Sequence, residues 1–313
     1  MRSETAQRAV AVVGPTSVGK TRLALRLASL LNAEILCADS RQVYRFLDIG
    51  TGKPTTAERA VAPHHLLDVV APDEHFDAVE FSRLASRAIR DITSRGRKVI
   101  ICGGSGLYIK ALLHGLFPGP KADAELRNRL AAELRAGGPG LLHERLASRD
   151  PETAARLHPH DVVRVIRALE VHELTGRPLS ELQRRHEPGE PPCTVMTIGL
   201  WRERETLRAA ITARCVAMVA GGLVEEVRAL WMRGYGPKLA PLRTLGYRHM
   251  GAYLLGERSL DEALAGMTAD TCRYAKRQLT WFKGDPGCRW YHAEHEEEVA
   301  LNAAKRFLER DER

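Results

Sequence analysis

One octapeptide constrains this chain more than any other stretch: Gly14-Pro15-Thr16-Ser17-Val18-Gly19-Lys20-Thr21 fits the pattern G-x-x-x-x-G-K-[ST] of a phosphate-binding loop. The β-branched run Ala9-Val10-Ala11-Val12-Val13 leads into it, and Leu23, Ala24, Leu27, Leu30 and Leu31 follow at helical spacing. Strand, loop and helix are the context the motif needs. Its glycines let backbone N–H groups converge on phosphate oxygens, and the helix N-terminus adds a positive dipole. In this geometry Lys20 reaches the terminal phosphates and the Thr21 hydroxyl holds Mg²⁺.

Further along, Ala33-Glu34-Ile35-Leu36-Cys37-Ala38 and Lys98-Val99-Ile100-Ile101-Cys102 read as strands. Between them, Phe81, Leu84, Ala85, Ala88, Ile89 and Ile92 give the stretch 79–93 one apolar face, and so an amphipathic helix. The region around Lys53-Pro54 and Pro63-His64-His65 reads as loop. Strands alternating with helices predict a P-loop NTPase-like α/β fold: a parallel sheet covered by helices. Near Phe117-Pro118-Gly119-Pro120 the pattern changes. Two arginine-rich helices, 123–136 and 161–175, flank Gly137-Gly138-Pro139-Gly140, and Ser180 with Gln183 suggests a capping box for another short helix. We therefore expect a helical insertion at 121–192 within a core of 1–120 and 193–313. The chain re-enters the sheet at 194–200. The remainder reads as helices, with Ser259 and Glu262 capping a long one that runs to about Phe282. The acidic tail, with Glu294 and Glu296 to Glu298, reads as a solvated terminal helix without a site.

Net charge is +8, which favours an anionic partner. The six cysteines are scattered with no C-x-x-C pair, as in a reducing cytoplasm, and residues 1–9 lack the apolar core of a secretory signal. No apolar run is long enough to span a bilayer, so no membrane partner is expected. Cys288, His292 and His295 leave a tetrahedral site one ligand short, so no zinc is expected.

A phosphate loop alone specifies only a bound polyphosphate or diphosphate. A nucleoside-triphosphate hydrolase usually closes a second apolar strand with a carboxylate. Here the strand 99–102 ends in Cys102-Gly103-Gly104, and the carboxylate at a strand end is Asp39. Ligands of open α/β sheets sit at the carboxyl ends of strands, so Asp39 lies beside whatever the loop holds. It can ligate a metal, accept a proton from an attacking group, or merely cap the next turn. In the stretch 271–283, Arg273, Lys276, Arg277 and Thr280 share one helical face, interleaved with Tyr274, Trp281 and Phe282. That mixture suits unpaired nucleic acid, where cations meet phosphates and rings stack on bases, and equally a solvated basic face over packed aromatics. Arg164 and Arg167 share a face of the insertion. Arg214 interrupts an apolar side between Ile211 and Met218, so it either snorkels or pairs with an anion.

The chain resembles the bacterial tRNA dimethylallyltransferases. The matching segments are the phosphate loop, Asp39-Ser40-Arg41-Gln42-Val43-Tyr44-Arg45, Ile49-Gly50-Thr51-Gly52-Lys53-Pro54, Pro63-His64-His65, Gly103-Gly104-Ser105-Gly106-Leu107-Tyr108, Arg167-Ala168-Leu169-Glu170, Leu245-Gly246-Tyr247 and the run from Arg273 to Phe282. In this order they are highly specific. The resemblance implies transfer of a dimethylallyl group from dimethylallyl diphosphate to the exocyclic amine of the adenine 3′ of the anticodon, in tRNAs reading codons that begin with U. It implies that Gly14, Thr16, Ser17, Val18, Gly19, Lys20 and Thr21 hold the diphosphate, with Mg²⁺ at Thr21. It further makes Asp39 the general base, with Thr16 and Arg214 in the catalytic set. Asp39, Ser40, Arg41, Gln42, Ser105 and Arg127 are the implied tRNA contacts, and Arg164, Arg167, Lys276 and Arg277 would grip the anticodon stem-loop. Ser105 stands where threonine is usual, Val163 where glutamine is usual, and His160 where asparagine is usual. A cytoplasmic monomer is expected. The competing readings are a phosphate-loop kinase of a small metabolite or nucleoside, an isopentenyltransferase acting on free AMP, and a non-catalytic RNA-binding protein.

Overall fold

Strands β1 (Arg8–Val13), β2 (Ala33–Cys37), β3 (His64–His65), β4 (Lys98–Cys102), β5 (Thr194–Trp201) and β6 (Arg289–His292) form one sheet. Their order is β3-β2-β4-β1-β5-β6, and every neighbouring pair is parallel. The computed structural model describes residues 7–117, 119–186 and 191–309. Residues 1–6, Pro118, the end of the expected insertion at 187–190, and 310–313 lie outside the described residues. By internal contacts the chain divides into two units, Met1–His114 with Pro191–Arg313, and Gly115–Glu190.

In the first unit, β1 lies at the centre because it is apolar on both faces; Ala9 through Val13 are wholly buried, as a parallel strand covered on both sides requires. Helix α1 (Lys20–Leu31) sets Leu23, Ala24, Leu27 and Ala28 into the core formed by Val10, Val12, Ile35 and Ile100. The stretch read as loop holds a short helix α2 (Thr56–Val61), begun by a capping box of Thr55 and Glu58, and the edge strand β3. Helix α3 (Ala78–Ser94) starts where the Asp77 carboxylate accepts the Val79 and Glu80 amides, and it buries the expected face of Phe81, Ala85, Ile89 and Ile92. It packs against α4 (Gly106–His114) on the sheet.

The second unit is helical: α5 (Ala124–Arg149), α6 (Pro151–Arg156), α7 (Val162–Thr175) and α8 (Leu179–Arg185). Leu126, Leu130, Leu142, Leu146, Val165 and Leu169 form its core. The glycine-rich break expected after residue 136 is present: α5 is two helical pieces that meet at a kink, where Gly138 takes φ 75° and Pro139 begins the second piece. The capping box expected at Ser180 does not form. Pro178 precedes α8, and the buried Ser180 hydroxyl and amide both donate to Asp150, which also caps α6.

Back in the first unit, α9 (Arg204–Ala220), α10 (Leu223–Met232), α11 (Tyr247–Leu254) and α12 (Leu260–Lys283) pack on one another, and α12 opens with the expected capping box of Ser259 and Glu262. Strand β6 was not legible, because Arg289-Trp290-Tyr291-His292 carries no alternation of apolar and polar residues. The tail helix α13 (Glu297–Leu308) corrects the reading of a solvated helix. It buries Ala300, Leu301, Ala304 and Leu308 in the sheet's core, and its Glu297 pairs with Arg22 and Arg26 of α1.

Glu34 is the one carboxylate on β2 and only 2% exposed. Arg95 bonds both of its oxygens and His65 Nε2 lies 2.7 Å away, which together hold its pKa down to about 2. A depressed carboxylate adds stability above its unfolded pKa and loses it as pH falls through the folded value. Glu34→Gln should therefore destabilise the chain by about 2–3 kcal/mol at pH 7. In urea melts the gap should narrow steadily from pH 4.5 towards pH 2.

Candidate active site

The carboxyl ends of β1, β4 and β2 build the site. β1 opens into the phosphate loop, where Gly14 has φ 135° and a Cβ there would come within 2.6 Å of the Leu200 carbonyl oxygen, so only glycine fits. Gly19, at φ 108°, starts α1 and turns its N-terminus to the loop. Lys20 lies over the loop, with Nζ donating to the Gly14 and Pro15 carbonyls at 3.0 and 2.7 Å. Burial lowers its pKa to about 8, reinforced by the charge of Arg214 and opposed by Cys102 and Asp39. The Ser17 hydroxyl is buried with no partner among the described residues, and Val18 is wholly buried beneath the loop. Thr16 and Thr21 make no hydrogen bond through their hydroxyls among the described residues.

β4 ends in Gly103-Gly104-Ser105, and the glycines bring the neighbouring turns together. A Cβ on Gly103 would lie 2.0 Å from the Ala38 carbonyl oxygen, and one on Gly104 would lie 2.0 Å from Gln278 Nε2. Gln278, 6% exposed on α12, accepts from the Thr16 amide at 2.9 Å and donates to the Gly104 carbonyl at 3.0 Å. It fastens the phosphate loop to the turn after β4. The sequence reading missed this role, because a glutamine among cations carries no signal of its own.

Asp39 follows β2. Its Oδ1 accepts from the Arg41 amide at 2.8 Å and the Gln42 amide at 3.4 Å, so it does cap the next turn. No described group bonds Oδ2. A cavity of about 450 Å³ opens over Asp39, lined also by Thr16, Ser40, Arg41, Arg214, Tyr274 and Arg277. The cavity's other carboxylate, Asp270, is taken up by Arg248, Arg273 and His249. Asp39 is thus the carboxylate of this cavity that has no cation partner among the described residues.

A second cavity of about 480 Å³ lies over the phosphate loop, lined by Ser17, Gly19, Lys20 and Thr21. Arg214 and Met218 line both cavities. Arg214 has no ion pair or hydrogen bond among the described residues; burial lowers its pKa, while the charge of Asp39 opposes the shift. Its guanidinium rests on Gly52, where a Cβ would come within 2.0 Å of one of its nitrogens. A third cavity of about 440 Å³ shares Ser40, Arg41, Tyr274 and Arg277 with the first and is floored by Ser105, Tyr108 and Trp281. Ser105 accepts the Ser40 amide through its hydroxyl at 2.9 Å. Gln42 donates to the Thr51 and Gly52 carbonyls. Arg277 stacks on Tyr274, and Lys276 is exposed on the other side of α12, in a groove with Arg204 and Arg208.

In the helical unit, Arg127 and Arg167 both bond the fully buried Glu170, Arg127 through two nitrogens. Arg164 pairs with Asp161 on the surface. Arg127 and Arg167 therefore hold that unit's core together, a use their spacing did not reveal.

A protonated Lys20 attracts an anion and a neutral one does not. Affinity for inorganic pyrophosphate, measured by calorimetry, should be flat to about pH 7 and fall as pH rises through 8. An affinity unchanged to pH 9.5 would remove Lys20 from the anion site.

A family model described as IPP transferase matches residues 42–285. A tRNA dimethylallyltransferase of Desulfosudis oleivorans is 47% identical over 304 residues, covering 97% of each chain. One from Syntrophobacter fumaroxidans is 49% identical over 284 residues, covering 91% of this chain and 83% of its own. Among solved structures, a tRNA isopentenylpyrophosphate transferase of Bacillus halodurans aligns with TM-score 0.71 at 38% identity, covering 97% of both chains. A eukaryotic dimethylallyltransferase acting on tRNA aligns with TM-score 0.76 at 26% identity, covering 96% of this chain and 77% of that one. The phosphate loop, the unpaired aspartate after β2 and these likenesses over nearly the whole length agree: the chain belongs to the IPP transferase family, that of the tRNA dimethylallyltransferases.

Proposed function

We propose that this chain transfers the dimethylallyl group of dimethylallyl diphosphate to N6 of the adenosine 3′ of the anticodon in tRNAs reading codons that begin with U. The observation that carries the proposal is Arg214, a desolvated cation without a partner among the described residues that lines both the phosphate-loop cavity and the Asp39 cavity. A group transferred from a diphosphate to a base must cross at that point.

In this reading the diphosphate occupies the loop cavity, held by loop amides, the Ser17 and Thr16 hydroxyls, Lys20 and Arg214. The adenine enters through the Ser105–Trp281 cavity and lies over Asp39, extruded from its stack as base-modifying enzymes require. N6 attacks the allylic C1 as the C1–O bond breaks. The bonding pair leaves with the diphosphate, where Lys20 and Arg214 meet the developing charge. The N6 proton passes to Asp39 Oδ2. The amine is a poor nucleophile because its lone pair is delocalised into the ring, so a base and a stabilised leaving group are both needed. The unpartnered Thr21 hydroxyl lines the same cavity as Lys20 and, with diphosphate oxygens and water, fits Mg²⁺. When bound, the cation would add Lewis-acid neutralisation of the leaving group. Arg41 and Arg277 supply cations for the RNA backbone beside the acceptor cavity, and Lys276 adds one on the opposite side of α12. The chain's relatives over nearly its full length are tRNA enzymes, which favours this substrate over free AMP or a kinase's metabolite.

Incubation with labelled dimethylallyl diphosphate or labelled ATP, followed by tRNA hydrolysis, tests the reading. Label should pass from the former into adenosine of tRNA. Asp39→Ala should slow single-turnover transfer by roughly a hundredfold or more while donor retention changes little. Retention of ATP alone, or full transfer by Asp39→Ala, would overturn the assignment.

A further inference from the structure

The segment Asp48–Gly52 separates the two central cavities: Gly50 and Thr51 line the Asp39 side, and Ile49 and Gly52 line the phosphate-loop side. The segment makes a turn of its own, with the Gly52 amide donating to the Ile49 carbonyl at 2.9 Å, and Gln42 donates to its Thr51 and Gly52 carbonyls, but these bonds leave the amides of residues 48–50 to be satisfied from elsewhere. What takes those three amides is Glu226, in the first turn of α10. Glu226 Oε2 accepts the amides of Asp48 at 3.1 Å and Ile49 at 2.7 Å, and Oε1 accepts the amide of Gly50 at 3.1 Å. Oε1 also accepts the Tyr247 hydroxyl at 2.6 Å. One carboxylate therefore takes three successive backbone N–H groups, an anion in a backbone nest, with a fourth donor behind it. Tyr247 is 1% exposed, and its ring lies where a Cβ on Gly50 would stand, at 2.5 Å.

Two positions beyond Gly50, Gly52 seats the Arg214 guanidinium. We infer that Glu226 is a positioning residue for the transfer: by clamping residues 48–50 against Tyr247 it fixes Gly52, and through Gly52 it fixes Arg214 between donor and acceptor. Glu226 lines neither cavity and touches neither substrate in the proposed reaction. Its part is to keep an uncompensated cation at one place on a flexible segment. A glutamine cannot replace it, since one of its two termini would present N–H groups to donors.

This inference rests on the reaction proposed above, and its test separates the two. Single-turnover transfer is measured at saturating dimethylallyl diphosphate and tRNA for the unaltered chain, Glu226→Gln, Arg214→Ala and the double variant, with thermal midpoints alongside. Glu226→Gln should slow transfer about tenfold when Arg214 is present and less than twofold when it is absent, because the clamp acts through that arginine. Gly52→Ala, which bypasses the clamp, should slow transfer to a similar extent. If Glu226→Gln does not fold, Tyr247→Phe goes through the same cycle, with about a threefold loss expected only beside Arg214. Equal losses in both backgrounds, as a general loss of stability would give, or no loss in either, would overturn the inference. An unaltered chain that transfers nothing would instead overturn the reaction itself.

Discussion

A guanidinium taken out of water without a carboxylate beside it is costly, and proteins normally avoid the arrangement. Arg214 is such a group: it is largely desolvated, its charge has no partner among the described residues, and it lines two cavities. The surrounding structure follows from keeping it there. Gly52 offers a floor without a side chain, Glu226 and Tyr247 hold the segment to which Gly52 belongs, and Asp39, without a cation partner among the described residues, lines one of the two cavities that Arg214 lines. The compensation that Arg214 lacks among the described residues is what the diphosphate of the proposed reaction would supply.

The parallel sheet makes this arrangement possible by ordering its strands. β4 separates β1 from β2, so the phosphate loop and Asp39 emerge from the same edge of the sheet with one strand end between them. That intervening end is Gly103-Gly104-Ser105, whose glycines let the Ala38 carbonyl on one side and Gln278 on the other approach closely. Ser105 then binds the turn after Asp39 and Gln278 binds the loop at Thr16, so the phosphate loop and the Asp39 turn are tied to one scaffold. In many phosphate-loop enzymes a carboxylate occupies that strand end; in this chain a small polar turn stands there.

Much of this was legible before any coordinates. The phosphate loop, β1, β2, β4, α3 and the start of α12 announce themselves by period and capping chemistry, because local sequence alone decides them. Asp39 was legible from its place at a strand end. What escaped was decided by partners distant in sequence. Ser180 looks like a cap, yet it turns to Asp150, thirty residues away, because a buried carboxylate must be satisfied. Arg127 and Arg167 look like free cations until the buried Glu170 claims both. Glu226 sits beside Glu225 in a first helical turn, where an acid only complements the dipole, and nothing nearby shows that it reaches back to residue 48. The acidic start of α13 hid the apolar stripe that follows it, and β6 has too few residues to show a period.

The account turns on where two substrates lie relative to Arg214 and Asp39. The most direct measurement is a crystal structure of this chain with a non-hydrolysable thio analogue of dimethylallyl diphosphate and an anticodon stem-loop. The account predicts the diphosphate against Lys20 and Arg214, and the extruded adenine with N6 within hydrogen-bonding distance of Asp39 Oδ2. An adenine bound elsewhere, or a diphosphate that leaves Arg214 without a contact, would contradict it.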